Sequence, residues 1–267
     1  MDNYNKIENT IFSEFKKTIW KKFRKTISGY DMIKDGDKVA VCISGGKDSM
    51  LLALCIHKLK SNNEINFDTE YIIMNPGYSE ENLLKIRNNC ELLGIPVKIY
   101  DTNIFASAMK SPKNPCFLCS RLRRGWLYAK AQELNCNKIA LGHHFDDVVE
   151  TILMAMLYGS QTQTMLPRLK AKNYNVEVIR PLYMIRESDI ISWTDYNNLV
   201  FCSCGCPVSA EKQKDSKRAE IKSLLSEQRI KNPDIDMNIF RSVENIDLER
   251  IISYHKGSEY HSFLENL

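Results

Sequence analysis

Val39-Ala40-Val41-Cys42-Ile43-Ser44-Gly45-Gly46-Lys47-Asp48-Ser49, followed by the helix-like stretch Met50 to Lys60, is the passage whose reading decides the fold. The apolar run reads as a buried strand, the two glycines as a turn, and the rest as a helix. Strand, glycine turn and helix together leave backbone N–H groups free around a phosphate. The helix dipole adds partial positive charge there, and the glycines let the backbone come close. Lys47 contributes a point charge, and Ser44 and Ser49 contribute hydroxyl donors. The spacing is not Gly-x4-Gly-Lys-Ser/Thr, as in a Walker A loop, nor Gly-x-Gly-x-x-Gly, as in a dinucleotide loop. A turn merely rich in small residues has no need of Lys47 and Asp48 side by side at a helix start.

Ser44 to Ser49 resembles the PP-loop, SGGxDS, of the ATP pyrophosphatases. Those enzymes split ATP between its α- and β-phosphates and adenylate a substrate. Working outward, the pattern alternates. A strand at 38–43 leads to a helix at 47–61 and a strand from Tyr71 to Asn75. A helix at 80–93 stops at Gly94 with Pro96 beyond, and a strand runs from Val97 to Tyr100. An irregular stretch at 103–115 precedes a helix at about 119–134 and a strand from Lys138 to Gly142. A helix over roughly 146–158, a strand from Val176 to Ile179 and a helix at 187–198 complete the series. Alternation at this spacing predicts βαβ units around a buried sheet, an α/β fold with a doubly wound parallel sheet. Right-handed crossovers then bring the loops after the strands to one edge, where ligands bind. The phosphate loop and Gly142-His143-His144 both lie at that edge.

The chain divides by composition into a basic N-terminal helical extension (1–30), the ATP pyrophosphatase domain (31–206) and a charged helical C-terminal extension (207–267) with a helix around 210–228. In the first of these, Ile11, Phe12, Phe15, Ile19, Phe23 and Ile27 recur at helical spacing between lysines. Seven Lys/Arg stand against three acids in residues 1–30. Such a helix is either docked with a solvated basic face or laid along an RNA backbone, and charge alone does not separate the two. The whole chain of 267 residues has a net charge of only +4, so bulk charge does not announce nucleic acid. No apolar run approaches a membrane span, and the charged N-terminus does not suit a secretory signal. The expected location is cytoplasmic.

Nine cysteines, an odd number, argue against a disulfide framework. Cys42, Cys55, Cys90 and Cys136 sit among apolar neighbours or near helix ends and read as small hydrophobes. The rest form two groups: Cys116-Phe117-Leu118-Cys119, and Cys202-Ser203-Cys204-Gly205-Cys206-Pro207. Two thiolate groups beside Arg121, Arg123 and Arg124 suggest a metal centre, with zinc or iron–sulfur left open by spacing. Asp146 and Asp147 at a strand-to-helix junction are by default capping groups. Next to a phosphate loop they also suit Mg²⁺ or the orientation of a nucleophile. Adjacent His143 and His144 point in different directions, which argues against a shared metal.

These motifs together resemble the tRNA 2-thiocytidine synthetases, a branch of the iron–sulfur-dependent tRNA thiolases. The resemblance runs through Asp31-Met32-Ile33, Asp35-Gly36-Asp37, the SGGKDS loop, Cys116 to Gly125 and Leu141 to Asp147. It continues in Tyr158-Gly159, Met165 to Leu169 and Ile179-Arg180-Pro181-Leu182, in the same order, and covers about residues 20–206. It implies that ATP with Mg²⁺ adenylates the C2 oxygen of a tRNA pyrimidine, cytidine 32 first among the choices. Sulfur from a cysteine desulfurase or free sulfide then displaces AMP. It implies a [4Fe-4S] cluster held by three cysteines with one iron free for sulfur. Cys116 and Cys119 match two of those ligands.

For the third ligand, Cys206 matches the thiouridine members, where Pro and a short polar segment follow. A gapless comparison with the thiocytidine enzyme points to Cys204, and Cys202 ranks third. By the same resemblance Asp147 is catalytic, Arg123 stands where a thiouridine enzyme has a catalytic lysine, and Asn75 lies where the adenine pocket is lined. Arg123 keeps the charge without acid–base capacity, so its implied role is electrostatic. Ser44, Gly45, Gly46, Lys47, Asp48, Ser49, Gly142 and Asp146 are the expected nucleotide-binding residues. A homodimer is implied.

The chain departs from the family in lacking terminal zinc-binding cysteines, in a longer 101–115 segment and in the form of its cysteine loop. Competing readings are 2-thiouridine synthesis, a cluster-free PP-loop amine ligase acting on tRNA, and a zinc-stabilised RNA-binding module. The C-x-x-C facing a second thiol group disfavours the ligase. The intact SGGKDS loop and Asp146-Asp147 disfavour the module.

Overall fold

Lys38–Ile43 forms β1, and five of its six residues are buried. In the computed structural model, which describes residues 2–110, 115–202 and 217–266, β1 lies between β2 (Asp68–Asn75) and β4 (Lys138–Ala140), parallel to both. Val97–Asp101 (β3) and Glu177–Ile179 (β6) extend the parallel set, and Arg168–Lys170 (β5) pairs antiparallel with β6. The order is β3-β2-β1-β4-β6-β5. Helices cover both faces of such a sheet, so its central strands are apolar without alternation. Val39, Val41, Ile43, Tyr71 and Ile73 enter one core, and Ala40, Cys42, Ile72, Ile139 and Val178 enter the other.

The chain winds outward from β1 through β2 to β3, then from β4 to β6 on the other side. The winding therefore reverses between β1 and β4, and a crevice opens beyond their carboxyl ends. The helices that follow these strands are α3 (Lys47–Ser61), α4 (Glu80–Leu92), α5 (Ile104–Met109), α6 (Pro115–Glu133), α7 (Phe145–Gly159) and α8 (Glu187–Tyr196). Two expectations shift here. The C-x-x-C lies inside the first two turns of α6, where the sequence suggests a helix beginning only at about 119. Pro115 opens that helix, a position where its fixed φ and missing N–H are favourable. The 103–115 stretch holds α5, whose buried Ile104, Phe105 and Ala108 span too few turns to show a period.

Ahead of β1 come α1 (Asp2–Phe12), a π-helical segment (Lys16–Trp20) and α2 (Lys21–Gly29). The sequence suggests one unbroken helix, and the break has a geometric cause. Ile7, Ile11, Phe15, Ile19, Phe23 and Ile27 repeat every four residues. At 3.6 residues per turn each step rotates the stripe by about 40°. A wider π turn, with Phe15 N–H donating to Thr10 O and Trp20 N–H donating to Phe15 O, absorbs the drift. Ile11, Ile19, Phe23 and Ile27 thereby all reach the core, and Trp20 stacks on Phe23.

The chain forms two compact units, 1–148 with 166–216, and 149–165 with 217–267. The second contains the later part of α7, α9 (Lys217–Lys231), α10 (Ile235–Ser242) and a hairpin of β7 (Ser253–Lys256) and β8 (Glu259–Ser262). Buried carboxylates organise it. Glu150 faces Arg218 at 2.9 Å, and Asp236 accepts from Arg229 Nε at 2.9 and 3.1 Å. The hairpin turns at Gly257 (φ +68°), a left-handed position that suits glycine. No helix among the described residues is long and apolar enough to cross a membrane.

Phe23 is fully buried, so Phe23→Ala should lower the unfolding free energy in urea by about 3–5 kcal/mol. A loss below about 1 kcal/mol would mean that the N-terminal helices are not part of the core.

Candidate active site

The phosphate loop follows β1 in a fixed, hydrogen-bonded form. Gly45 adopts φ +88°, and a methyl group on it would come within 2.5 Å of the Ile86 side chain, so only glycine fits. Gly46 is the N-cap of α3, and no side chain among the described residues caps that helix. The first-turn N–H groups therefore face the crevice without intrahelical partners, as an anion site requires. Ser49 Oγ accepts from Ser44 N–H (3.1 Å) and from Ser44 Oγ (3.1 Å) and donates to Gly46 O (2.9 Å). The hydroxyls thus brace the turn. Tyr78 Oη donates to Ser44 O from outside.

Lys47 donates to Glu187 Oε1 at 2.9 Å, and Glu187 is the first residue of α8. Burial draws the Lys47 ammonium pKa down, but the Glu187 hydrogen bond and the Asp48 and Glu187 charges outweigh it. The net shift is upward, so the group stays charged. Asp48 shifts upward as well. Burial is the main cause, Asp147 adds to it, and His144 and Lys47 oppose it. Asp48 Oδ1 is buried and has no hydrogen bond among the described residues, although Lys47 Nζ lies 3.3 Å away.

After β4 the chain builds the opposite wall. His144 and Asp147 form a reciprocal cap on α7. His144 N–H donates to Asp147 Oδ2 (3.1 Å), and Asp147 N–H donates to His144 Nδ1 (3.4 Å). That places any neutral-ring proton of His144 on Nε2, 3.6 Å from Asp147 Oδ2 and 3.9 Å from Asp48 Oδ1. Asp146 turns the other way and accepts the Glu187 N–H at 2.7 Å, pinning α8. The adjacent histidines separate, with His144 capping the helix and His143 lining the cleft.

The cleft measures about 290 Å³. Ser44, Asp48, Ser49, Gly142, Asp147 and Arg123 line it, so the structure brings the two expected catalytic residues into one space with the phosphate loop. Lys47 and Asp146 instead link the loops to α8. Asn75 ends β2, where its Oδ1 accepts from the N–H groups of Gly77 and Tyr78 and its Nδ2 donates to Asp101. Its side chain builds that turn, and Met74 lines the cleft beside it. Cys42 also lines the cleft. Its parity with Ser44, the residue just past β1, is the available signal, and burial pushes its thiol pKa up, so it is neutral lining.

Arg123 and Leu127 reach the cleft from α6. Cys116 and Cys119 precede Arg123 by seven and four residues, which puts all of them on one helix face. Cys116 is exposed and Cys119 partly so. This pair suits a metal centre, as two ligands set i, i+3 on an open face. Among the described residues no group of three or more His, Cys, Asp or Glu is placed to hold a metal ion. Cys204 and Cys206 lie outside the described residues. Cys202 lies against the phosphate loop. Its N–H donates to Gly45 O (3.1 Å), and its thiol lies 3.7 Å from Asn82 O.

The family model of a PP-loop domain matches residues 13–207. The tRNA-cytidine(32) 2-sulfurtransferase of Photobacterium profundum is 36% identical over 245 residues, 90% of this chain and 79% of that protein. The chain belongs to the tRNA-cytidine(32) 2-sulfurtransferase family. A second member of that family, from Alcanivorax borkumensis, is 35% identical across 92% of this chain and 86% of its own. Among solved structures, the U34-tRNA thiolase NcsA from Methanococcus maripaludis, with its [4Fe-4S] cluster, aligns with a TM-score of 0.68. The two are 26% identical, covering 86% of this chain and 80% of that one. The Ser44 to Ser49 turn described above lies within the matched residues.

Asp48 has a pKa above its unfolded value, so the stability it contributes is present at low pH and lost as pH rises through the folded value. Asp48→Asn should therefore unfold at higher urea than the parent at neutral pH. The gain should shrink towards about pH 4. Equal midpoints at neutral pH would remove the burial strain assigned to this carboxylate.

Proposed function

We propose that this protein is an ATP-dependent tRNA sulfurtransferase that converts a tRNA cytidine, at position 32 of the anticodon loop, to 2-thiocytidine. The observation that carries the reading is the shared face of α6. It presents Cys116 and Cys119 within two turns of Arg123, which lines the same cleft as the SGGKDS loop and Asp147. An adenylating site and a thiol pair on one helix face suit sulfur transfer and have no purpose in a cluster-free ligase. The family's other members carry this activity in their names.

In this reading the open N–H groups of the α3 N-terminus hold the phosphates of ATP on the turn that Ser44 and Ser49 brace. Lys47 adds positive charge beside it, and the oxygens of Asp48 suit Mg²⁺. Arg123 stabilises negative charge as the C2 oxygen attacks the α-phosphate and pyrophosphate departs. Asp147, fixed by its cap with His144, orients the base and takes part in the proton balance at C2. Cys116, Cys119 and Cys206 would hold a [4Fe-4S] cluster, which when bound would supply an iron able to present sulfur. The sulfur comes from free sulfide or a cysteine desulfurase, and the protein acts as a homodimer.

Asp147→Ala should fold and keep its iron yet form less than about 1% of the parent's thionucleoside, a loss in the range expected for a positioned acid–base group. Mass spectrometry of nucleosides from tRNA incubated with ATP and sulfide measures this. 2-Thiouridine as the product would move the assignment to the sister chemistry. In anaerobically purified protein, Cys206→Ala should lose the broad absorption near about 400 nm and its iron, whereas Cys204→Ala should keep both. The reverse result transfers the ligand role to Cys204, and stoichiometric zinc without iron in the parent defeats the cluster.

A further inference from the structure

Residues 15–30 contain six Lys/Arg and no acid. An ordinary solvated helix face mixes the two signs, and like charges four apart, as in Lys17, Lys21 and Lys25, cost the helix a few tenths of a kcal/mol each. Two of the six cations are neutralised within the fold. Lys22 pairs with Asp189 at 3.1 Å, and Arg24 pairs with Glu64. Lys16, Lys17, Lys21 and Lys25 are exposed and have no ion-pair partner among the described residues.

We infer that the solvent face of the π-helical segment and α2, carrying Lys16, Lys17, Lys21 and Lys25, is a docking surface for the tRNA sugar–phosphate backbone. The inference rests on the tRNA reading above and adds where the RNA lies. The Lys22–Asp189 pair fixes the first turn of α2 beside the N-terminal turn of α8. Asp189 is two residues beyond Glu187, the partner of Lys47, so this face flanks the same end of α8 that holds the phosphate loop. The opposite side of the helix is rigid, since Ile19 and Phe23 are fully buried. The cations are thus displayed from a fixed scaffold, and binding orders side chains alone.

At its C-terminal end the face borders a recess of about 450 Å³ whose wall includes Arg24, Lys25 and Ser28, with Asp31 and Glu64. Glu64 is paired with Arg24, and Asp31 with Lys34 and Arg168, so these acids do not cancel the four lysines. A membrane surface fits less well, because the apolar side that an interfacial helix inserts is already spent on the core.

The test uses the full-length, anaerobically purified protein and a fluorescently labelled tRNA transcript titrated across a range of KCl. Changing Lys16, Lys17, Lys21 and Lys25 together to Gln should weaken binding about tenfold or more near 0.15 M salt. It should also reduce the slope of log affinity against log salt by about three to four, one counterion for each phosphate that a lysine no longer neutralises. The four-Arg variant should restore both values, and the KM for ATP should stay within about twofold of the parent in each variant. An unchanged slope in the Gln variant overturns the surface, even if affinity falls, since a folding defect leaves the charge count at the interface intact. Absence of salt-dependent tRNA binding by the parent protein itself would overturn the tRNA reading along with it.

Discussion

Gly142 lets the end of β4 lie against the first turn of α3, and the site depends on that approach. A methyl group there would stand 3.1 Å from Ser49 N and 3.2 Å from Asp48 C and Ser49 Cα, so the backbone of the α3 first turn would have to shift. Two loops from opposite sides of the winding reversal thereby become two walls of one cleft. The caps follow from the same proximity. His144 and Asp147 close one helix end and Gly46 opens the other, so the carboxylate of Asp147 and the open N–H groups of α3 line a common space.

Charge within this space is held in opposition. Asp48 is half-buried against its own preference for water, and Lys47 is kept charged by Glu187 from a third element. Arg123 enters from α6, while Asp146 spends its carboxylate on the Glu187 N–H and fixes the helix that supplies Lys47's partner. The arrangement is costly to the fold and useful to an anionic substrate. Strain of this kind is expected where binding groups are prepared before the ligand arrives.

The parallel core and the loop at the end of β1 were legible because buried strands and Gly-Gly-Lys-Asp leave few alternative readings. The antiparallel β5 was not, since Arg168-Leu169-Lys170 pairs on one side of a sheet edge and has only three residues in which to show a pattern. The β7–β8 hairpin had a signal in Gly257-Ser258 between two short Tyr-His segments, but charged flanks masked the alternation. A helix period was visible in residues 7–27, and the exact four-residue repeat within it held the information that the helix must widen. For the site, types and motifs located the loop, the carboxylates and the C-x-x-C. Sequence could not divide their labour, because whether Asp146 faces the cleft or α8 depends on a helix forty residues away. The roles of Cys42 and Met74 as lining depend on strand parity at the sheet's edge, and Asn75 shows how a polar residue at a strand end can be drawn into its own turn.

The hydrogen bond from Cys202 N–H to Gly45 O ties the chain that follows α8 to the back of the phosphate loop. One residue before Phe201, Val200 O accepts from Asn89 Nδ2 of α4, so the segment is anchored on both sides of that ring. The loop carbonyl at the one position where φ is +88° is therefore held from outside the crevice. An anion entering the crevice meets a turn that folding has already ordered, and little conformational entropy is left for binding to remove.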